Sequence, residues 1–227
     1  DLSTYAFSSP NSAFSLEEAV QSRTTARRIV AHGATGARNT HVAFVNSTVQ
    51  AAFDTLDRVA VVASHVPTTE YPQTALGGAL RAVGSAVASG AGTQLYWVQT
   101  GGYDTHARQD TLTGNYAGLM RTLNGAVSAF YADLKNQRLL EQTLVVVFSE
   151  FGRRVSENGS TGTDHGSGGL MFAFGGRVRG GIYGQAASLA QRPDNPDLEY
   201  GGRDVRFETD FRAVYARIID HWLGVDS

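Results

Sequence analysis

The chain contains 227 residues, of which 42% are hydrophobic and 18% charged. This composition is typical of a globular chain that buries a core, so we predict a single domain over residues 1–227. With 19 Lys and Arg against 21 Asp and Glu, the net charge is -2 and no basic run occurs, which argues against a nucleic-acid partner. The absence of cysteine excludes disulfides, thiol nucleophiles and thiolate metal ligands.

The sequence shows no signal for a membrane span, because no apolar run approaches the roughly 20 residues that cross a bilayer. Its first residue is Asp1 rather than a methionine. We therefore expect a processed or partial polypeptide, with any targeting segment upstream of Asp1.

Helical patterns fill the first 90 residues. The segment Ser15 to Val30 opens with a serine followed by acidic residues, as a capped helix does. Asn39 to Val66 spaces its apolar residues at threes and fours, which predicts an amphipathic helix. The pattern breaks at Pro72 and resumes from Thr74 to Ala88.

The predicted strands come later in the chain. Short apolar segments bounded by glycines or polar residues predict strands at Thr93 to Thr100, Thr143 to Phe148 and Leu170 to Gly176. A helix is predicted from Asp110 to Leu139, between the first two strands, and a last helix from Phe211 to Leu223. Strand, long helix and strand are typical of a right-handed βαβ unit in a parallel sheet covered on both faces. We predict an α/β fold, mainly helical over residues 1–92, with the α/β part over residues 93–227.

Polar side chains collect where the predicted strands end or begin. Asp104 and His106 follow the first strand, Glu150 follows the second, and Asp164 and His165 precede the third. Adjacent parallel strands would bring these residues together at one edge of the sheet. Asp-x-His alone is short enough to arise by chance, but carboxylates and imidazoles that converge form a suitable ligand set for zinc or manganese. We therefore predict that all five residues hold a divalent metal.

Two arginines follow Glu150 and allow two interpretations. In the first interpretation, Arg153 and Arg154 are solvated or paired with Glu157. In the second, Arg153 lies beside the metal and holds an anionic substrate group through two parallel hydrogen bonds. We take Arg153 as the candidate catalytic residue. Ser149 does not lie in a G-x-S-x-G elbow, so a serine-hydrolase triad is not expected.

Three segments, GGYDTHARQ, LVVVFSEFGRRVSENGSTGTDHGSGG and GGRVRGGIYG, occur in this order. They resemble domain-of-unknown-function family fifteen-oh-one, a bacterial family exported by the twin-arginine route and grouped with the alkaline phosphatase and sulfatase superfamily. The resemblance extends from about Tyr71 to Trp222. It implies a three-layer α/β/α sandwich with a mostly parallel sheet, whose N-terminal strands this chain lacks, and one or two metals at the strand ends.

The resemblance also implies roles for individual residues. Asp104 and His106 are similar to the aspartate and histidine of the superfamily's first metal site, and His165 is similar to its later histidine. Glu150 takes the place of a second-site aspartate, but Phe151 stands where a histidine is usual, so we expect one metal rather than two. No residue of this chain matches the nucleophilic Ser or Thr of the superfamily. Either this nucleophile lies in a missing N-terminal segment, or the protein has none.

The function implied is a metal-dependent hydrolase of phosphate or sulfate esters in the periplasm or cell envelope. Zinc is the first candidate metal, with manganese, magnesium or calcium as alternatives. The expected partners are a small anionic ester or an envelope polymer, and the protein's own N-terminal segment as a separate chain. The alternative is a non-catalytic envelope protein for binding or assembly, with the metal structural or absent; a metal-dependent mutase would share the same site.

Overall fold

The computed structural model describes residues 19–34, 40–109 and 112–225, with the backbone alone at residues 19–23 and 34. The predicted capped helix start at Ser15 lies outside the described residues. The chain divides into two units, residues 1–100 with 122–139 and residues 101–121 with 140–227, and each is described by itself.

The first unit is helical. It contains α1 (Ala19–Ala34), α2 (Thr40–Ser64), α3 (Ala75–Ala88) and residues 122–136 of α4 (Asn115–Asn136). The predicted helices at 39–66, 74–88 and 110–139 are therefore confirmed within a few residues at their ends, although residues 110–111 lie outside the described ranges. None of the helices in the described ranges has both the length and the apolar character that a bilayer span requires.

The core of this unit lies between α3 and α4. Leu76 and Leu80 of α3 are buried, as are residues at helical spacing along α4 that end with Phe130 and Leu134. Asp133 shares this inner face and is completely buried. A charged residue in such a position requires several hydrogen-bond donors around it.

The predicted strand from Thr93 to Thr100 is wrong, because these residues form neither strand nor helix. A β-strand exists only where a neighbouring strand supplies its hydrogen bonds, and the described part of the first unit contains none. Two apolar residues of the run that suggested a strand, Leu95 and Trp97, are more than 70% exposed.

The second unit contains short strands and a C-terminal helix. The strands are β1 (Val145–Phe148), β2 (Gly152–Arg153), β3 (His165–Gly166), β4 (Met171–Phe174), β5 (Leu198–Glu199) and β6 (Asp204–Val205). Helix α5 (Phe211–Ile218) begins after the capping residue Asp210, and a π-helical turn (Ile219–Leu223) follows it. The strands predicted at 143–148 and 170–176 and the last helix are therefore confirmed.

The predicted fold class, a three-layer sandwich with a mostly parallel sheet, is wrong. In the described residues the strands form three separate antiparallel pairs, β1 with β4, β2 with β3, and β5 with β6. A parallel pair needs a crossover that carries the chain to the other end of the sheet. Here residues 149–170 fold back on themselves through the β2–β3 pair, so the chain re-enters beside β1 in the opposite direction, with Phe148 opposite Met171.

Candidate metal centre

Two segments of the second unit, residues 103–109 and 158–165, run side by side and bring the predicted ligands together. The main-chain hydrogen bonds that join them are Arg108 N to Ser160 O at 2.9 Å, Gln109 N to Thr161 O at 2.9 Å and Thr163 N to Thr105 O at 3.3 Å. A Cβ on Gly162 would lie 2.2 Å from the carbonyl carbon of His106, so only glycine permits this approach.

The β2–β3 pair fixes the second half of the site. Arg153 lies opposite His165 and Gly152 opposite Gly166. A Cβ on Gly152 would come within 1.8 Å of the carbonyl oxygen of Gly168, which explains a glycine at this position. His165 is therefore held in a defined register against the segment that contains Arg153.

Three predicted ligands converge on one point. One ligand atom each from Asp104, His106 and His165 lies within 4.8 Å of the others. Asp104 Oδ1 is 2.7 Å from His165 Nε2 and 2.9 Å from His106 Nε2. All three side chains are about half exposed, which leaves one side of the cluster open to solvent.

The His106 ring lies between two carboxylates. Its Nε2 faces Asp104, and its Nδ1 is 3.2 Å from Asp164 Oδ1. A neutral imidazole has only one N–H, so it cannot donate to both carboxylates. A cation between Nε2 and Asp104 would bring the two atoms together without a proton and would leave the ring's N–H at Nδ1 to be donated to Asp164. This donor set therefore suits a metal ion.

The spacing of the ligand atoms also fits a metal after a small adjustment. Two ligand atoms on a tetrahedral zinc lie roughly 3.3 Å apart when each is about 2.0 Å from the ion. The contacts from Asp104 to His106 and His165 are 2.9 and 2.7 Å, so each needs to lengthen by only a fraction of an ångström. Exposed side chains can make that adjustment through small rotations.

Both carboxylates of the centre are biased toward the ionised form. The pKa of Asp104 is lowered by its hydrogen bond to His165 and further by the charges of His106 and Arg153. The pKa of Asp164 is lowered by the hydrogen bond from Asn158 and then by that with His106. Ionised carboxylates are what metal ligation and the Nδ1 contact both require.

Asp164, also a predicted ligand, lies outside the group of three and contacts the candidate ligand His106. Asn158 Nδ2 donates to Asp164 Oδ1 at 3.0 Å and also to the main-chain carbonyl of His106 at 2.9 Å. Arg154 Nη1 is 3.5 Å from Asp164 Oδ2, and its Nε is 3.2 Å from the buried carboxylate of Asp204, though not in hydrogen-bonding alignment. Carboxylates in this position commonly fix the tautomer of a metal-binding histidine.

Glu150 is not brought to the cluster. Its side chain is exposed, and among the described residues it belongs neither to the metal-ligand group nor to an ion pair. No ion pair between Glu150 and an arginine, which would have favoured a site without metal, is found in the described part of the chain. Its role as a ligand stays a prediction.

Arg153 is directed into the protein. Its Nη2 donates to the Tyr103 carbonyl at 2.6 Å and is 3.4 Å from Asp104 Oδ1, while Nη1 donates to the Thr163 carbonyl. The side chain is only 18% exposed. Both terminal nitrogens therefore contact the segments that supply the ligands.

Two residues near the centre were not assigned from sequence. The Phe151 ring stacks on His165 with centroids 4.0 Å apart and planes 5° apart. Asn158 accepts hydrogen bonds from the main chain of Ser160 and Gly162 while it donates to Asp164. The Asn-Gly pair at 158–159 signals a turn, but its partners in the preceding segment had no sequence signal.

The family comparison covers most of the chain. A family model described as "Protein of unknown function (DUF1501)" matches residues 8–226. Searches of curated proteins and of solved structures return no match. Because the family model spans nearly the whole sequence, the chain belongs to the DUF1501 family.

Proposed function

We propose that this protein holds a divalent metal ion with Asp104, His106 and His165 and uses it to hydrolyse phosphate or sulfate esters. The observation that supports this proposal is the convergence of three ligand atoms within 4.8 Å on an exposed side of the second unit. Structural zinc sites are usually closed by four protein ligands, whereas catalytic sites keep three and an open position. Three half-exposed ligands therefore favour a catalytic centre over a structural one.

The chain's own residues prepare the site for a cation. A divalent metal bound there would act as a Lewis acid toward an ester oxygen and toward water. Asp164 Oδ1 lies 3.2 Å from Nδ1 of His106, where it would accept the Nδ1 proton and leave the Nε2 lone pair for the metal. Asp104 contributes a negative charge, and in the metal-free site the contact with His165 lowers its pKa; a bound cation would take the place of the proton in that contact.

The substrate class and the location rest on the resemblance rather than on the site. The motifs around Asp104 and His165 resemble those of the alkaline phosphatase and sulfatase superfamily, and we propose a distant relationship to it. Zinc is the first candidate metal, with manganese, magnesium and calcium as alternatives. We also propose twin-arginine export to the periplasm or cell envelope, which fractionation of cells with an antibody to the native protein would test.

Metal titration of the full-length protein tests the centre. After chelation and dialysis, we expect calorimetry to show one zinc or manganese per chain. Asp104→Ala and His165→Ala should each weaken binding by more than the roughly 10- to 100-fold typical of losing an outer partner. His41→Ala, which changes an exposed histidine on α2, serves as the matched control. Unchanged metal binding in both ligand variants would refute the centre.

Hydrolysis is a separate measurement. The metal-loaded protein is assayed with p-nitrophenyl phosphate and p-nitrophenyl sulfate, and Asp104→Ala should abolish the activity that the His41→Ala control retains. If one metal binds at these residues and neither ester is cleaved, the catalytic proposal fails. The alternative of a binding or assembly protein with a structural metal then accounts for the site.

A further inference from the structure

We propose that Arg153 is the positioning residue of the metal centre, where it ties together the two segments that supply the ligands. This role differs from binding an anionic substrate group, and it rests on the proposed metal centre. Arg153 lies on β2, beside His165 in the β2–β3 register. Its guanidinium reaches from this strand to both ligand segments.

The two carbonyl groups that Arg153 contacts occupy special places in the chain. The Tyr103 carbonyl belongs to the residue directly before Asp104, and the Thr163 carbonyl to the residue directly before Asp164 and His165. One planar, five-donor group therefore bridges two peptides that lie 60 residues apart in sequence. Movement of either segment would break a hydrogen bond from a cation that is only 18% exposed.

Further contacts of Arg153 involve the ligands more directly. Its Nη2 lies 3.4 Å from Asp104 Oδ1, the oxygen that both histidines approach. Its guanidinium carbon lies 4.8 Å from the centre of the Phe151 ring, and this ring stacks on His165. Arg153 thus acts on Asp104 through charge and on His165 through the Phe151 ring.

The same contacts argue against bidentate anion binding by Arg153. An arginine that recognises a phosphate or sulfate presents two parallel N–H groups to it. In Arg153 both terminal nitrogens donate to main-chain carbonyls, and Nη2 also faces a carboxylate. An anion would have to displace these contacts, and with them the arrangement of Asp104 and His165.

Lysine cannot replace such an arginine, because a single ammonium group lacks the rigid planar fork that spans two carbonyls. We therefore compare Arg153→Gln and Arg153→Lys with Arg192→Gln, an exposed arginine of the same unit, as the matched control. Circular dichroism first establishes that each variant is folded. If Arg153→Gln does not fold, Arg153→Lys, which keeps the charge and most of the aliphatic stem, provides the test.

The first measurement is metal binding. We expect Arg153→Gln to lower zinc affinity by about 10- to 100-fold and to change the visible absorption spectrum of the cobalt-substituted protein, because the ligands lose their arrangement. Arg153→Lys should lie between the wild type and Arg153→Gln. The second measurement is inorganic phosphate binding at saturating zinc, for which we expect Arg153→Gln to stay within about twofold of the wild type. Unchanged zinc affinity together with weakened phosphate binding would overturn the positioning role in favour of anion binding.

Hydrogen exchange of the metal-free protein separates this proposal from the proposed function. Amides of residues 103–109 and 158–166 should exchange faster in Arg153→Gln, but not in Asp104→Ala or Arg192→Gln. If the wild type binds no metal but exchange is still faster in Arg153→Gln than in the wild type, the metal centre is refuted, and the role of Arg153 in holding the two segments together is supported. If the wild type binds metal but Arg153→Gln matches it in affinity, spectrum and exchange, only the role of Arg153 is refuted.

Discussion

The buried carboxylate of Asp133 allows a quantitative test of the first unit. It is 0% exposed on the inner face of α4. Burial acts to raise its pKa, but hydrogen bonds from Thr68, Tyr71 and Gln137 to the ionised form outweigh burial and lower the pKa below the ordinary 3.8. The bonds to the carboxylate come from Thr68 N at 2.8 Å, Thr68 Oγ1 at 2.7 Å, Tyr71 Oη at 2.9 Å and Gln137 Nε2 at 2.9 Å.

We expect Asp133→Ala to lower the free energy of unfolding by about 2–4 kcal/mol, because the Tyr71 hydroxyl, in a side chain that is buried, loses its acceptor. Thr68 and Gln137 lie nearer the surface, where water can replace Asp133 as their hydrogen-bond partner, so they contribute less to this loss of unfolding free energy. Tyr71→Phe removes one donor and should cost about 1 kcal/mol. The double variant Asp133→Ala/Tyr71→Phe leaves no buried hydroxyl unpaired. Its loss of unfolding free energy should therefore be about 1 kcal/mol smaller than the sum of the losses in the two single variants.

Urea denaturation followed by far-ultraviolet circular dichroism measures these losses. The control is Asp57→Ala, whose carboxylate pairs with Arg27 at 2.8 Å but is 57% exposed. Exposed pairs contribute at most about 1 kcal/mol. An Asp133→Ala loss equal to that of the control, or single losses that add within about 0.5 kcal/mol, would refute the reasoning.

The pH dependence of stability follows from the same shift. Because the folded pKa of Asp133 is depressed, its ionised form stabilises the fold above the ordinary 3.8, and this contribution is lost as the pH falls through the lower folded value. The stability difference between the wild type and Asp133→Asn should therefore narrow below about pH 4. A difference that stays constant into acid would show that the charge of Asp133 contributes nothing.

Two further predictions concern the residues that hold the histidines. Asp164→Asn removes the carboxylate 3.2 Å from His106 Nδ1, so zinc affinity measured by calorimetry should fall about 10- to 100-fold; an affinity equal to that of the Asp57→Asn control would contradict this role. Phe151→Leu removes the ring stacked on His165, so the imidazole signals of His165 in NMR should shift and zinc affinity should fall several-fold. Phe151→Tyr keeps the ring and should match the wild type. Equal His165 signals in the NMR spectra of Phe151→Leu and Phe151→Tyr would contradict the prediction.

The helices of this protein could be predicted from sequence because their signals are local. Apolar spacing placed α2 and α3 within two residues, and Thr74 caps α3 as a threonine before such a run should. Strand pairing depends on residues far apart, so an apolar run alone does not show whether a partner exists. The run at 93–100 has no partner strand among the described residues, and the runs that became β1 and β4 pair in the opposite direction to the one expected.

The convergence of three candidate metal ligands could be expected from the sequence because few other side chains bind metals, but the residues that contact these ligands could not be predicted. Asp104, His106 and His165 were recognisable by residue type, although the strand that was expected to precede Asp104 and His106 does not form. Asp164 is adjacent to His165 in sequence, yet its carboxylate contacts the ring of His106, which depends on side-chain direction. The neighbours of Arg153 are main-chain carbonyls, which every residue carries and no sequence pattern marks.

The charges around the centre connect metal binding with anion binding. The carboxylates of Asp104, Asp164 and Asp204 are paired with the guanidinium groups of Arg153 and Arg154, so these side chains carry three negative and two positive charges, an excess of one negative charge before the histidines are counted. A divalent cation reverses this sign, and bound cations are often the largest local charge in a site. If the proposed centre binds a divalent cation, an anionic ester would be attracted more strongly after the cation is bound than before. Anion recognition would then depend on the cation itself and would not require a free arginine, which agrees with an Arg153 whose terminal nitrogens donate to main-chain carbonyls.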